Sequence, residues 1–142
     1  MIIGIGVDVV HAYRLKRWQT IPGLLERYFH PEELRTALSR GSGATLSLAA
    51  RFAAKEAFGK ALGMGLSGIV LKDIMVVNQH NGRPEIQLFG TALRALEQSG
   101  AHRVHLSLTH EQDNAVAMVV LEAFPENPAG DDRLTRYGAH SP

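Results

Sequence analysis

The chain contains no cysteine. Disulfides, thiolate nucleophiles and cysteine-held zinc are therefore excluded, and the absence suits a reducing compartment. No apolar run approaches the length of a membrane span, and Met1 leads into "IIGIGVDVV" without a basic segment. The expectation is a soluble, cytoplasmic protein with no secretion signal and no membrane partner. G-x-x-x-x-G-K-[ST] occurs nowhere, which excludes a P-loop. There is no internal repeat and no low-complexity tract. Net charge is +1 and the isoelectric point about 8.2, too little imbalance to argue for nucleic acid.

The chain does have 142 residues, 45% of them hydrophobic and 20% charged, enough for one domain and short for two. Its charge is unevenly spread: residues 1–60 hold nine Lys and Arg against five acids, and residues 61–142 hold six against nine. A basic N-terminal half can attract an acidic partner, although from charge alone solvated surface is the simpler reading.

"IIGIGV" (Ile2–Val7) reads as a buried strand with close backbone contacts at Gly4 and Gly6, and Asp8 follows at its end. Short helices are expected over 11–19 and 22–29, split at Pro22-Gly23. Pro31, with Glu32 and Glu33 behind it, starts another. A loop over 39–45 precedes a long helix from about Ser47 to Leu62, capped by Gly63. A strand within 68–79, a tight turn at "NGRP" (Asn81–Pro84) and a return strand over 85–89 follow. A helix over 91–100 and a strand pair over 103–109 and 114–124 complete the pattern. The expected class is α+β, a mainly antiparallel sheet packed against a long helix. Residues 1–124 form the domain, and residues 125–142, with almost no apolar periodicity, are expected to be a mobile extension.

Several motifs carry chemistry. "GMGLSG" (Gly63–Gly68) spells G-x-G-x-x-G, but it follows a helix instead of opening one, so it is a cap and loop, not a dinucleotide fingerprint. Glu56 and Lys60 stand at i,i+4 in the order that favours a surface ion pair. They also share a stripe with Phe52, beside Ala53, Ala57, Ala61, Gly59 and Gly63, small residues that admit another backbone or a ligand. Asp8 is either a turn acceptor or, if the helix packs on the first strand, a second carboxylate near Glu56. Two such carboxylates with room for water and phosphate oxygens suit Mg²⁺. His105 and His110 point to opposite faces of a strand, which weakens a zinc reading. "SLTH" (Ser107–His110) presents a hydroxyl and an imidazole at a strand end, as a phosphate contact or as a plain hairpin turn. Arg14 and Arg17 are i,i+3 neighbours with Trp18 beside them, either a solvated face or an anchored contact.

"GIGVD", "RFAAKEAFGKALG" (Arg51–Gly63), "NGRP" and "VHLSLTH" occur in this order. Together they resemble the holo-[acyl-carrier-protein] synthase family, the short-chain 4′-phosphopantetheinyl transferases, over about residues 1–123. The resemblance implies that fold and transfer of 4′-phosphopantetheine from coenzyme A to a serine of apo acyl carrier protein, with 3′,5′-ADP leaving, in fatty acid biosynthesis. It implies Asp8 and Glu56 as Mg²⁺ ligands and Lys60 beside the coenzyme A pyrophosphate, these three being the catalytic set. It implies Arg51, Arg83, Pro84, Thr109 and His110 at the adenine and 3′-phosphate end, and the helix of Arg14, Arg17 and Trp18 as the surface for an acidic carrier-protein helix. It further implies a homotrimer with sites between subunits. The family pattern has no counterpart to the extension after Phe124. Two rival readings use the same residues: a Mg²⁺-dependent nucleotide pyrophosphohydrolase, and a carrier-protein-binding module without catalysis.

Overall fold

The computed structural model describes residues 1–125, so the proposed extension lies, apart from Pro125, outside the described residues. Among the described residues, five strands and five α-helices follow one another as β1 (Ile2–His11), α1 (Ala12–Gln19), α2 (Leu24–Tyr28), α3 (Pro31–Leu38), α4 (Ala44–Ala61), β2 (Ile74–Asn78), β3 (Pro84–Leu88), α5 (Gly90–Gln98), β4 (Arg103–Glu111) and β5 (Asn114–Glu122). All strand pairings are antiparallel, in a three-stranded sheet of order β1-β5-β4 and a separate β2-β3 hairpin. This is the expected α+β class.

Helix α4 is the axis of the core. Its alanines let it approach its neighbours on nearly every side, and Leu48, Ala49, Phe52, Ala53, Ala57 and Phe58 are all buried. It starts at Ala44, three residues before the expected Ser47, because Gly41–Gly43 forms a 3₁₀ turn that runs straight into it. Gly63, with φ +76°, stops it in the left-handed conformation that costs glycine least. The chain then folds back so that the Gly65 amide donates to the Gly59 carbonyl at 3.0 Å.

Strand β1 departs from its expected form in two ways. It continues through His11, since Val9 and Val10 pair with Val116 and Ala115 of β5, so Asp8 lies within the strand. It is also buried on one face only. Gly6 and Val10 face α4, whereas Ile5, Val7 and Val9 on the other face are more than half exposed. Strand β4 runs two residues past its expected end, to Glu111, and β5 stops two residues short of its own, at Glu122; the two are joined through Gln112, whose φ is 51°.

Helix α3 begins as its sequence requires, with Pro31 in the first turn and a reciprocal cap: His30 Nδ1 accepts from the Glu32 amide and Glu33 Oε1 accepts from the His30 amide, both at 3.1 Å.

Candidate active site

The site begins with two glycines. A Cβ on Gly4 would lie 1.9 Å from the Ala61 carbonyl oxygen, and one on Gly6 would lie 1.9 Å from that of Ala57. Only glycine permits this contact, and it runs β1 along α4 in opposite directions, bringing Asp8 toward the Glu56–Lys60 turn of the helix. Lys60 Nζ donates to Asp8 Oδ1 at 2.8 Å and to the Val7 carbonyl at 3.1 Å. The ion pair that Lys60 makes is thus with Asp8 across the strand–helix seam, in place of the i,i+4 pair with Glu56.

Charge around Glu56 is finely opposed. Partial burial holds its carboxyl above the ordinary value, and the Asp8 carboxylate pushes it the same way, while Arg14 and Lys60 pull it back. Lys60 is raised, first by its hydrogen bond to Asp8 and next by that charge. No group of three or more His, Cys, Asp or Glu side chains able to hold a metal exists among the described residues. Two carboxylates with no third protein ligand fit Mg²⁺, which keeps water and phosphate oxygens in its shell, and fit zinc poorly.

Arg14 stands nearer this centre than its sequence context suggests. Its guanidinium carbon lies 5.0 Å from the ring centres of both Trp18 and Phe52, which meet edge to face at 4.8 Å. Phe52 is one turn before Glu56, so the Arg14 helix and the carboxylate pair share an edge. His11, Tyr13, Arg14, Arg17, Trp18 and Ile21 line a groove beside them.

A second cationic cluster lies along α4. Arg51, 3% exposed, donates to Ser47 and, at 3.4 Å, to Asn78 Oδ1. Arg40 reaches the same oxygen at 3.5 Å. Burial lowers the Arg51 pKa, Glu33 opposes that and Arg40 adds to it, and Arg51 Nε is buried without a hydrogen-bond partner. Sequence reasoning did not single out Arg40 or Asn78; their membership depends on a contact from residue 40 to residue 78 that no local pattern carries. Asn78 belongs to the hairpin that also holds Arg83 and Pro84: the Arg83 amide donates to Asn81 Oδ1 at 3.0 Å, and Pro84 opens β3.

Thr109 and His110 are separated by the sheet. Thr109 pairs with Val116, in line with Val9 on the face away from α4, whereas His110 pairs with Ala115, in line with Val10 on the α4 face. Both are exposed. His105 lies on the same face as Thr109, bonded to Glu122 at 2.8 Å, which agrees with its pointing away from His110.

Lys55, beside Glu56, is another charged residue whose place the sequence alone does not give. It is fully buried against Glu33, at 2.7 Å. Burial lowers its pKa and the Glu33 carboxylate resists that shift.

Comparison with known proteins gives a consistent result. The sequence profile of the 4′-phosphopantetheinyl transferase superfamily matches residues 4–119. A holo-[acyl-carrier-protein] synthase of Treponema denticola is 57% identical over 86% of this chain and 99% of its own, and one of Trichlorobacter lovleyi is 47% identical over 87% and 99%. The crystal structure of holo-[acyl-carrier-protein] synthase from Neisseria meningitidis superposes with a TM-score of 0.77 at 37% identity, covering 86% of this chain and 99% of that one. That of the Bacillus anthracis synthase in complex with coenzyme A (3′,5′-ADP) gives 0.73 at 36%, covering 87% and 99%.

Proposed function

Since the chain belongs to the 4′-phosphopantetheinyl transferase superfamily, we propose that it transfers the 4′-phosphopantetheine arm of coenzyme A to a serine of an apo acyl carrier protein, in fatty acid biosynthesis in the cytoplasm. It is an enzyme of the holo-[acyl-carrier-protein] synthase type. The serine hydroxyl gives its proton to water as its oxygen attacks the β-phosphorus of the coenzyme A pyrophosphate, the bond to the bridging oxygen breaks, and 3′,5′-ADP leaves.

The observation that carries this reading is the convergence of Asp8, Glu56 and Lys60 across the β1–α4 seam. Asp8 and Glu56 would hold Mg²⁺, which would neutralise pyrophosphate charge. Lys60, tethered to Asp8 and otherwise exposed, presents its ammonium to the developing charge on the leaving phosphate. Arg51, with Arg40 beside it, together with the Arg83-Pro84 turn, grips the nucleotide end. Arg14, held against two touching aromatic rings, and Arg17 receive an acidic carrier helix, an attraction that salt weakens.

The exposed apolar face of Ile5, Val7, Val9 and Met118 is the surface through which we place the chain in a homotrimer. Thr109 lies on that face, so it serves a site between subunits, while His110 serves one on the α4 side. Among the described residues no helix is long and apolar enough to cross a membrane.

The test is intact-mass analysis of an apo acyl carrier protein incubated with this enzyme, coenzyme A and Mg²⁺, with EDTA and Glu56→Gln as controls. A phosphopantetheine mass increment lost in both controls supports the reading. Coenzyme A cleaved without carrier modification would indicate a pyrophosphohydrolase. Carrier binding that survives Glu56→Gln, with no increment, would indicate a binding module.

A further inference from the structure

Lys55 Nζ uses all three of its hydrogens. It donates to Glu33 Oε1 at 2.7 Å, to the Leu71 carbonyl at 2.9 Å and to the Ile74 carbonyl. Glu33 is equally occupied: Oε1 also accepts from the His30 amide, and Oε2 accepts from the Val76 amide, each at 3.1 Å. Neither side chain has any exposed surface. One buried pair therefore joins the middle of α4, the start of α3, the turn at Leu71–Asp73 and strand β2.

The β2-β3 hairpin shares no backbone ladder with the main sheet, although β3 packs beside β4. Its polar ties along α4 are the Lys55–Glu33 cluster and the longer contact between Arg51 and Asn78. Apolar packing alone would hold these elements together at least as well, because a buried ion pair rarely outperforms hydrophobic residues of similar volume. What it adds is direction. Two carbonyls and one amide at the head of β2 must meet fixed donors and acceptors, which allows one position of the hairpin along the helix.

Under the transferase reading above, coenzyme A is gripped at two points: the pyrophosphate at Asp8, Glu56 and Lys60, and the nucleotide at Arg51 and the hairpin. We propose that Lys55 and Glu33 are positioning residues for this reaction, fixing the hairpin on α4 so that the pyrophosphate and the nucleotide of coenzyme A are held at once. Neither touches the substrate. The pair sets the KM for coenzyme A and leaves the chemical step and the carrier surface alone.

The test is the double variant Lys55→Met with Glu33→Gln, which removes both charges together, with Glu33→Asp as a milder variant should the double fail to fold. Wild type is assayed first by carrier mass and by calorimetric binding of coenzyme A. The expected result is a KM for coenzyme A raised about tenfold, with kcat at saturation and the carrier KM within about threefold of wild type. Amide exchange should accelerate across residues 74–88 while β1, β4 and β5 stay protected. Glu33→Asp should show the same pattern at smaller amplitude. A folded variant with unchanged coenzyme A KM, or one whose kcat and both KM values deteriorate together, would overturn the proposal. Should wild type bind coenzyme A but transfer nothing, the transferase reading fails on its own, and the coenzyme A dissociation constants of the same variants still judge the positioning role.

Discussion

Gly6 lies so close to Ala57 that the carbonyl oxygen of the alanine occupies the place where a side chain on the glycine would begin. This contact, repeated between Gly4 and Ala61, sets how near Asp8 comes to Glu56 and Lys60. Gly6→Ala should therefore cost about 3 kcal/mol or more, because both partners are backbone and neither can rotate away. Gly43→Ala, whose added methyl meets only the Arg40 Cβ at 3.8 Å, should shift stability by less than about 1 kcal/mol. Urea unfolding of the two variants checks this. If Gly6→Ala is as stable as wild type, β1 and α4 are not held at this spacing.

Glu56 is predicted to cost stability for the sake of chemistry. Burial and Asp8 raise its folded pKa above the unfolded value, so the folded state binds its proton more tightly. Native stability is then greatest below the unfolded pKa and declines as pH rises through the window between the unfolded and the raised folded value. Glu56→Gln removes the charge and should melt slightly higher than wild type at neutral pH without metal, by a degree or two given the solvent near this carboxyl. The same variant should lose transfer activity. Melting curves of both proteins at neutral pH and at pH 4 would show the gap close in acid; a Glu56→Gln protein less stable than wild type at neutral pH contradicts the assignment.

Much of this was legible in the sequence. Small residues in "IIGIGV" and "RFAAKEAFGKALG" announce a strand and helix in backbone contact, and Gly63 announces where the helix ends. Asp8 was harder to place, because the strand's end depends on its pairing with β5 and not on its own residues. The partner of Lys60 was read locally as Glu56, four residues away, whereas the fold supplies Asp8, 52 residues away. Lys55 and Glu33 were invisible for the same reason. A lysine and a glutamate read as solvated surface until tertiary structure buries them together. The separation of Thr109 and His110 by the sheet follows from strand period alone, but which face meets α4 does not.

Helix α5 has no side-chain cap of its own, and Asp73 supplies one from a distant turn. Asp73 Oδ2 accepts from the Thr91 amide at 2.7 Å and from the Thr91 hydroxyl at 2.6 Å, and that hydroxyl accepts from the Val70 amide at 2.8 Å. Asp73→Ala should cost about 1–2 kcal/mol, as loss of an N-cap does. Asp73→Asn, which keeps an acceptor, should cost less. Because this cap is not among the groups placed at coenzyme A or the carrier protein, the transfer rate of either variant should match wild type wherever it remains folded. Parallel unfolding and rate measurements check both halves of the statement.

Arg14 joins the proposed carrier-protein surface to the proposed catalytic carboxylate, Glu56. Its guanidinium is 5.0 Å from both the Trp18 and Phe52 ring centres, and its charge draws the Glu56 pKa down. Arg14→Ala should raise the KM for acyl carrier protein about tenfold and flatten the dependence of that KM on salt, since a long-range attraction is lost. Arg14→Lys should recover the salt dependence but only part of the affinity, because an ammonium lacks the planar face that a guanidinium lays against an aromatic ring. A second readout separates the two roles. With Arg14 gone, Glu56 keeps its proton to higher pH, so the acid limb of kcat/KM for coenzyme A should move upward in pH for Arg14→Ala and much less for Arg14→Lys. A higher carrier KM with an unmoved acid limb would make Arg14 a docking residue alone.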